Sequence, residues 1–374
     1  MKILFLARQL NIGGAERQLV TLANELADRG HDVVIVSYYP GGALSNKLDS
    51  QRVRLISLGK RSRWDLLHFY LALVRVVRQE RPVVLHGWMH TQNVFATFAW
   101  MVNRNVKLFW SVRSARLFPL TFVATVEEWL RTRLSRFPDC IVVNSVAGLE
   151  YAASKGIPRA KMVYIPNGID TTLFYPDATL GQRVRAEWSI NDSEKVIGYV
   201  ARFTPLKNHQ LFLKAGAAIA AERPETRFVC CGHGDPSYLK ELQELSRSLG
   251  IEGRVRWVQA NPDVTAMYNA FDVFCSSSLT EGFPNVIGEA MACGRRCVVT
   301  DVGDCRSVVD DTGVVVPSND VEALAAGLRR ALDVGASLNL PARQRILDNF
   351  TVAHLADRTE QALLRWTTCK PVSV

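Results

Sequence analysis

The stretch VFCSSSLTEGFPNVIGEAMACGRRCVVTDVG, residues 273–303, reads as strand, loop, helix and strand in that order. Val273–Ser278 and Cys297–Gly303 are short apolar, β-branched runs, and a helix begins at Asn285 directly after the first of them. A helix starting at the carboxyl end of a parallel strand presents free N–H groups and the positive end of its dipole, which suits a phosphate and above all a diphosphate. Glu281 and Glu289 flank this turn with seven residues between them. The first lies in the loop, where a carboxylate can bond sugar hydroxyls. The second, about two helical turns onward, suits a ribose diol. The competing reading makes both glutamates solvated charges, but the apolar flanks of the Gly282-Phe283-Pro284-Asn285 turn favour a site.

Working outward, the second half continues in the same alternation. VIGYVAR (196–202), FVCCGHG (228–234), VRWVQ (255–259) and GVVVP (313–317) read as further strands, with helices in the gaps. The first half repeats the theme. KILFLAR and DVVIVSY are strands on either side of ERQLVTLANELADRG, whose Leu19, Leu22, Ala23 and Leu26 recur at helical spacing up to Gly30. Val83–His86, Lys107–Val112 and Cys140–Asn144 supply more strands, and Leu66–Gln79, Thr91–Val102 and Val123–Arg136 more helices. Alternating strands and helices predict parallel sheets covered on both faces. VYIPNGIDTTLFYPDA (163–178), with its Pro and Asn-Gly turn signals, reads as the interdomain connection. The expectation is an α/β chain of two Rossmann-like domains facing a central cleft: 1–170, 171–350, and a terminal helix in 351–374 crossing back to the first.

At 374 residues, 48% hydrophobic and 22% charged, the composition is that of a globular chain with a large core. Leu66–Val77, interrupted by His68 and Arg75, and Val94–Val102 are both too short or too polar to span a bilayer. The opening MKILFLARQLNIGGAE lacks the longer apolar region of a secretory signal and reads as a first strand, which places the protein in the cytoplasm. The eight cysteines show no CxxC pair or zinc spacing; Cys230, Cys231, Cys275 and Cys297 sit in apolar runs as reduced core residues, so neither a disulfide framework nor a metal is expected. Charge is uneven: residues 1–185 carry 25 Lys/Arg against 13 Asp/Glu, and residues 186–374 carry 20 against 23. A basic first half calls for an acidic partner. Its aromatic residues, and the stretch RSARLFPLTFVATVEEWLRTRLSRF (113–137) in particular, point to an anionic membrane or a lipid-linked acceptor. No nucleic-acid module accompanies the charge.

Three further groups could carry chemistry. Arg202 ends a strand and Lys207 lies five residues on in VARFTPLKNH; two cations there can clamp a diphosphate and stabilise it as a leaving group. In NIGGAERQ, Gly13 and Gly14 form a loop between strand and helix through which backbone can approach phosphates, although neither a dinucleotide fingerprint nor a Walker motif is present. His90 in LHGWMHTQN follows a strand and is a candidate for the reaction centre.

These motifs together resemble glycosyltransferase family 4, retaining enzymes of the GT-B fold. The resemblance rests on ARFTPLKNH (201–209), TEGFPNVIGEAMACG (280–294), GGAERQ (13–18), YIPNGID (164–170) and DTGVVVPSND (311–320), and covers nearly the whole chain. It implies that Glu281 contacts the donor sugar and Glu289 the ribose, that Arg202 and Lys207 bind the diphosphate, and that Gly282, Phe283, Pro284, Asn285 and Val286 contact the donor through backbone. It also implies a UDP- or GDP-sugar donor and no divalent metal. Three departures stand out. Relatives often carry a His after the strand that here reads LFWSV, where this chain has Arg113 and Ser114. Arg296 replaces a Pro, and a Gly pair becomes Gly303-Asp304. The expected activity is transfer of a hexosyl residue, with retention, to a glycan or lipid-linked glycan of cell-surface polysaccharide or lipopolysaccharide type. Hydrolysis or epimerisation of a nucleotide sugar, and donor binding without transfer, are the alternatives.

Overall fold

The computed structural model describes residues 1–62, 64–113, 122–259, 264–335 and 337–368. They form two compact units, one of Met1–Gly168 together with the described residues from Val352 on, the other of Ile169–Thr351. The divisions thus fall at 168/169 and 351/352.

The first unit is built on seven parallel strands: β1 (Lys2–Ala7), β2 (Asp32–Ser37), β3 (Val53–Ser57), β4 (Val84–Gly87), β5 (Lys107–Val112), β6 (Cys140–Val143) and β7 (Met162–Tyr164). Their order in the sheet is β3-β2-β1-β4-β5-β6-β7. Helices α1 (Gly14–Asp28), α2 (Leu66–Glu80), α3 (His90–Met101), α4 (Phe122–Leu134) and α5 (Val146–Ser154) connect them. Alternate residues of the central strands serve opposite cores. Ile3, Phe5, Val33 and Ile35 pack with Leu19, Leu22, Ala23 and Leu26 of α1, while Leu4, Leu6, Val34 and Val36 pack with Phe69 and Leu73 of α2 and Ala96 and Ala99 of α3. Burial on both faces is why KILFLA and VVIV show no polar alternation.

Two strands escape the apolar-run reading. In β3 only Val53 is buried; it is an edge strand, and its exposed Arg54 donates to Glu80 and Asp32. β7 occupies the start of the segment read as connection, and its three residues are only partly covered.

The second unit has six parallel strands, β8 (Lys195–Val200), β9 (Thr226–Gly232), β10 (Val255–Gln259), β11 (Val273–Ser276), β12 (Arg296–Thr300) and β13 (Val314–Val316), in the order β10-β9-β8-β11-β12-β13. Its helices are α6 (Ala178–Glu187), α7 (His209–Glu222), α8 (Pro236–Ser248), α9 (Val264–Ala270), α10 (Asn285–Ala292), α11 (Cys305–Val309), α12 (Val321–Asp333) and α13 (Leu340–Asn349). Val196, Val229, Phe274 and Val299 face a core shared with α9, α10 and α13; Ile197, Phe228, Val273 and Val298 face one shared with α7 and α12. Cys230, Cys231, Cys275 and Cys297 are buried free thiols in these cores.

The last helix, α14 (Val352–Thr368), belongs to the first unit. Leu355, Ala356 and Leu363 join the core of α1, and Arg29 reaches Asp357 at 2.5 Å and Glu360 at 2.7 Å. No helix among the described residues is long and apolar enough to cross a membrane.

Each sheet reverses direction once, between β1 and β4 in the first unit and between β8 and β11 in the second. At such a reversal the loops leaving the two central strands diverge and open a crevice beyond their carboxyl ends, the usual ligand position in an open α/β sheet.

Candidate active site

In the second unit that crevice is bounded by the loop after β8, which carries Arg202 and Lys207, and the loop after β11, which carries Glu281. The first loop leaves β8 through Ala201 and closes in a short turn over Pro205–Lys207. Asn208 ends it in the left-handed region at φ 49° and caps α7, its Oδ1 accepting from Leu211 N at 3.3 Å. The second loop is fastened to the first at several points. Leu279 N donates to Leu206 O at 2.9 Å, and Ser277 Oγ to Asn208 O at 3.0 Å. Buried Tyr199 donates its hydroxyl to Lys207 O at 2.5 Å and lies 3.1 Å from Ser278 Oγ. Burial pushes the Tyr199 phenol well above its ordinary range, so it stays a neutral donor.

Within this frame Lys207 Nζ lies 2.5 Å from Glu281 Oε1, and Ser278 Oγ donates to the same oxygen at 2.6 Å. Arg202 is exposed and makes no ion pair with the described residues. Pro284 precedes α10 and supplies no side-chain cap, so the first N–H groups of Asn285–Ala292 lack that internal acceptor. Glu289 lies one helix face on, 3% exposed, where Tyr268 of α9 donates its hydroxyl to Oε2 at 2.8 Å. The competing reading of the two glutamates as solvated charges does not fit this geometry: the Glu281 side chain is only 11% exposed. Both carboxylates are drawn inward because hydroxyl and ammonium donors meet them there.

The turn after β12 completes the frame. A Cβ on Gly303 would stand 2.3 Å from Glu281 O, and its φ of 56° also excludes ordinary side chains. Asp304, where the resemblance expects a second glycine, has φ −91° and donates its backbone N–H to Gly282 O at 3.1 Å, so that position needs no glycine. Arg296, the other departure, points to Ser337, donating to its Oγ at 2.8 Å.

Sequence comparison agrees with this geometry. Residues 12–173 match the model of Glycosyltransferase Family 4, and residues 182–346 that of Glycosyl transferases group 1. The chain belongs to glycosyltransferase family 4. It is 26% identical, over 96% of both chains, to the Campylobacter jejuni alpha-1,4-N-acetyl-D-galactosaminyltransferase of a PP-undecaprenol-linked acceptor. It is 25% identical, over 88% of its own length and 73% of the relative's, to a phosphatidylinositol N-acetylglucosaminyltransferase subunit of Arabidopsis thaliana. Among solved structures, Anabaena HepE in complex with UDP-glucose superposes with a TM-score of 0.86 at 21% identity, covering 98% of this chain and 100% of that one. The fold is therefore GT-B and the protein a glycosyltransferase.

The glycosyltransferase's remaining candidates lie in its first unit, around the β1/β4 reversal. Gly13 is the N-cap of α1 without a side-chain cap bond, and a Cβ there would stand 2.2 Å from Glu16 Oε2. The Glu16 carboxylate thus folds back beside the start of its own helix, a position that favours negative charge. Gly14 opens α1 itself. His90 is the first residue of α3, and burial together with the charge of Arg131 pushes its imidazole down to about 3. It is a neutral group at neutral pH. His86 is inside the sheet, 2.8 Å from Ser111 Oγ, and likewise pushed down to about 3 by burial and by Arg113. Ser114 lies outside the described residues, as do the residues that follow it up to position 121.

Sequence reasoning missed Tyr268, Ser278 and Tyr199. Tyr199 and Tyr268 sit in largely apolar runs whose spacing serves the core, and Ser278 is the last of three consecutive serines, so nothing local distinguishes these hydroxyls. Their role appears only where α9, β11 and β8 meet.

Proposed function

We propose that this glycosyltransferase moves a hexosyl residue from a UDP- or GDP-sugar to a hydroxyl of a glycan or lipid-linked glycan, retaining the anomeric configuration and needing no divalent metal. The observation that carries this reading is the Lys207–Glu281 contact, which joins the two loops of the β8/β11 crevice at 2.5 Å. Lys207, exposed Arg202 and the start of α10 collect positive character where a diphosphate leaving group can be stabilised. Glu281 receives the donor sugar's hydroxyls, Glu289 the ribose diol, and backbone from Gly282 to Val286 fits around the donor. In the transfer the bond from C1 to the diphosphate oxygen breaks, the acceptor oxygen bonds to C1, and the acceptor's proton passes to the departing diphosphate. Neutral His90 and the Gly13-Gly14 loop of the first unit contribute hydrogen bonds to donor or acceptor.

A lipid-linked acceptor would place the enzyme on the cytoplasmic face of an anionic membrane, and α2 supports that placement. Leu67, Leu71, Arg75 and Arg78 form one exposed stripe, apolar at one end and cationic at the other, with Trp64 76% exposed just ahead of it.

Calorimetric titration with UDP, GDP and ADP without metal tests the donor assignment. Selective binding of one nucleotide, weakened in Glu289→Ala, is expected, and no binding of any of the three would refute it. The anomeric proton coupling of the first product distinguishes retention from inversion.

A further inference from the structure

Four adjacent strands of the first unit place a side chain at or just beyond their carboxyl ends: Trp88 after β4, Arg113 after β5, Asn144 after β6 and Asn167 after β7. These residues touch one another. Arg113 lies over the indole of Trp88, its Cζ 3.5 Å from the ring centroid, and donates through Nη1 to Asn167 Oδ1 at 3.0 Å. Asn144 Nδ2 reaches the same oxygen at 3.3 Å. The indole N–H of Trp88 donates to Ala15 O at 2.8 Å, which ties the group to the first turn of α1.

What the cluster lacks is a counter-charge. Among the described residues no carboxylate pairs with Arg113, and its Nε, shielded from solvent, has no acceptor. Arg131, by contrast, has Glu128, and Arg185 has Asp272 at 2.5 Å. Burial pushes the Arg113 guanidinium down to about 9, still charged at neutral pH, and that charge helps to keep nearby His86 neutral. Holding an unpaired cation here costs free energy that a structural role does not recover, since a neutral side chain would pack against Trp88 without it. A planar, multi-donor cation held by stacking and one amide oxygen, with donors to spare, is suited to an oxyanion with several acceptor atoms.

We infer that Arg113, seated on Trp88 and oriented by Asn167, binds a phosphate or diphosphate oxyanion at the carboxyl edge of the first unit's sheet. Two sources share this chemistry, the phosphate that links an acceptor to its lipid and the diphosphate of the donor. The acceptor source rests on the proposed lipid-linked acceptor; the oxyanion site itself does not.

The probe is inorganic pyrophosphate, titrated calorimetrically into full-length wild type, Arg113→Met and Arg113→Lys, with and without a saturating nucleoside diphosphate. Wild type is expected to bind it, and Arg113→Met to bind about tenfold or more weakly, the loss typical of a charged hydrogen-bond partner. Arg113→Lys, which keeps the charge and loses the planar fork, falls between them. Thermal melting checks that Arg113→Met is folded; losing a half-buried cation with no carboxylate partner among the described residues leaves its midpoint equal to or above wild type. Pyrophosphate binding that persists with nucleotide bound and depends on Arg113 identifies the acceptor's phosphate. Competition between the two, with both weakened in Arg113→Met, identifies the donor's. Pyrophosphate and nucleotide affinities unchanged in both variants overturn the inference. Because the difference between wild type and Arg113→Met without nucleotide reads only the part of pyrophosphate binding that depends on Arg113, it stays decisive even if the donor assignment fails.

Discussion

Lys207 and Glu281 come from loops that leave neighbouring strands of the second sheet, and their charged atoms meet at 2.5 Å. The contact makes each residue the other's counter-ion before any donor arrives. On the proposed function, a donor entering here would replace part of that pairing, its diphosphate taking the ammonium and its sugar hydroxyls the carboxylate.

Lys207→Met is accordingly expected to lower kcat/KM by about 100-fold or more, the usual consequence of removing a positive group from a developing anion. Glu281→Gln should lower turnover while leaving nucleotide affinity nearly intact, because it removes a sugar contact. The double variant should lose less than the sum of the two, as residues in direct contact do. Steady-state kinetics with nucleotide titration separates these effects, and full additivity would show that the pair does not act together.

The Tyr268 hydroxyl donates to Glu289 at 2.8 Å in a buried setting. Tyr268→Phe removes one of the groups that hold this carboxylate in place, at a cost of about 1 kcal/mol. Nucleotide affinity is expected to fall severalfold with turnover at saturating donor little changed, measurable as a rise in donor KM without loss of kcat. Unchanged donor KM would separate Glu289 from the ribose.

Acid should destabilise the fold through its buried imidazoles. His86, His90 and His209 are each pushed down to about 3, chiefly by burial. Between about 6.5 and about 3 the unfolded chain binds protons that the folded chain refuses, so stability falls as pH drops through that window, by about 1.4 kcal/mol per unit for each fully excluded proton. His209 is the clearest test. Its ring stacks on Tyr199 at 4.7 Å, and neither ring nitrogen has a hydrogen-bond partner among the described residues. His209→Phe should raise the melting temperature at pH 5 and flatten the acid slope; an unaltered slope would show that this imidazole titrates normally.

The exposed stripe of α2 predicts membrane dependence. Leu67 is 72% exposed and Leu71 55% exposed, so Leu67→Glu with Leu71→Glu should leave the fold intact. Wild type is expected to sediment with vesicles rich in anionic lipid and much less with zwitterionic ones, and the double variant with neither. Equal sedimentation of wild type with both vesicle types would remove the electrostatic part of the reading.

Much of the architecture was legible because it depends on local order. The apolar runs of β1, β2, β5, β8, β11 and β12 are continuous where both faces of a parallel sheet are covered, and the helical spacing of Leu19, Leu22 and Leu26 marks a helix wherever it packs. The turn at Gly282–Asn285 was legible as a turn between strand and helix, since Gly, Pro and Asn there serve backbone geometry. β3 and β7 were not legible, because an edge strand needs no apolar face on its open side.

By itself, then, the sequence determined most of the strands and helices, that they alternate, which loops carry Arg202, Lys207 and Glu281, and that Glu289 lies on the helix after them. These follow from spacing and residue chemistry along the chain. Only tertiary structure decided that Lys207 touches Glu281, 74 positions further along the chain, that Tyr268 lies under Glu289, and that Arg113 has an indole and an amide for company and no carboxylate among the described residues. The physical reason is that strand order in a sheet is set by how both faces are buried together. Neighbours across the β8/β11 and β5/β6/β7 edges are therefore chosen by the packed layers, and no local pattern records the choice.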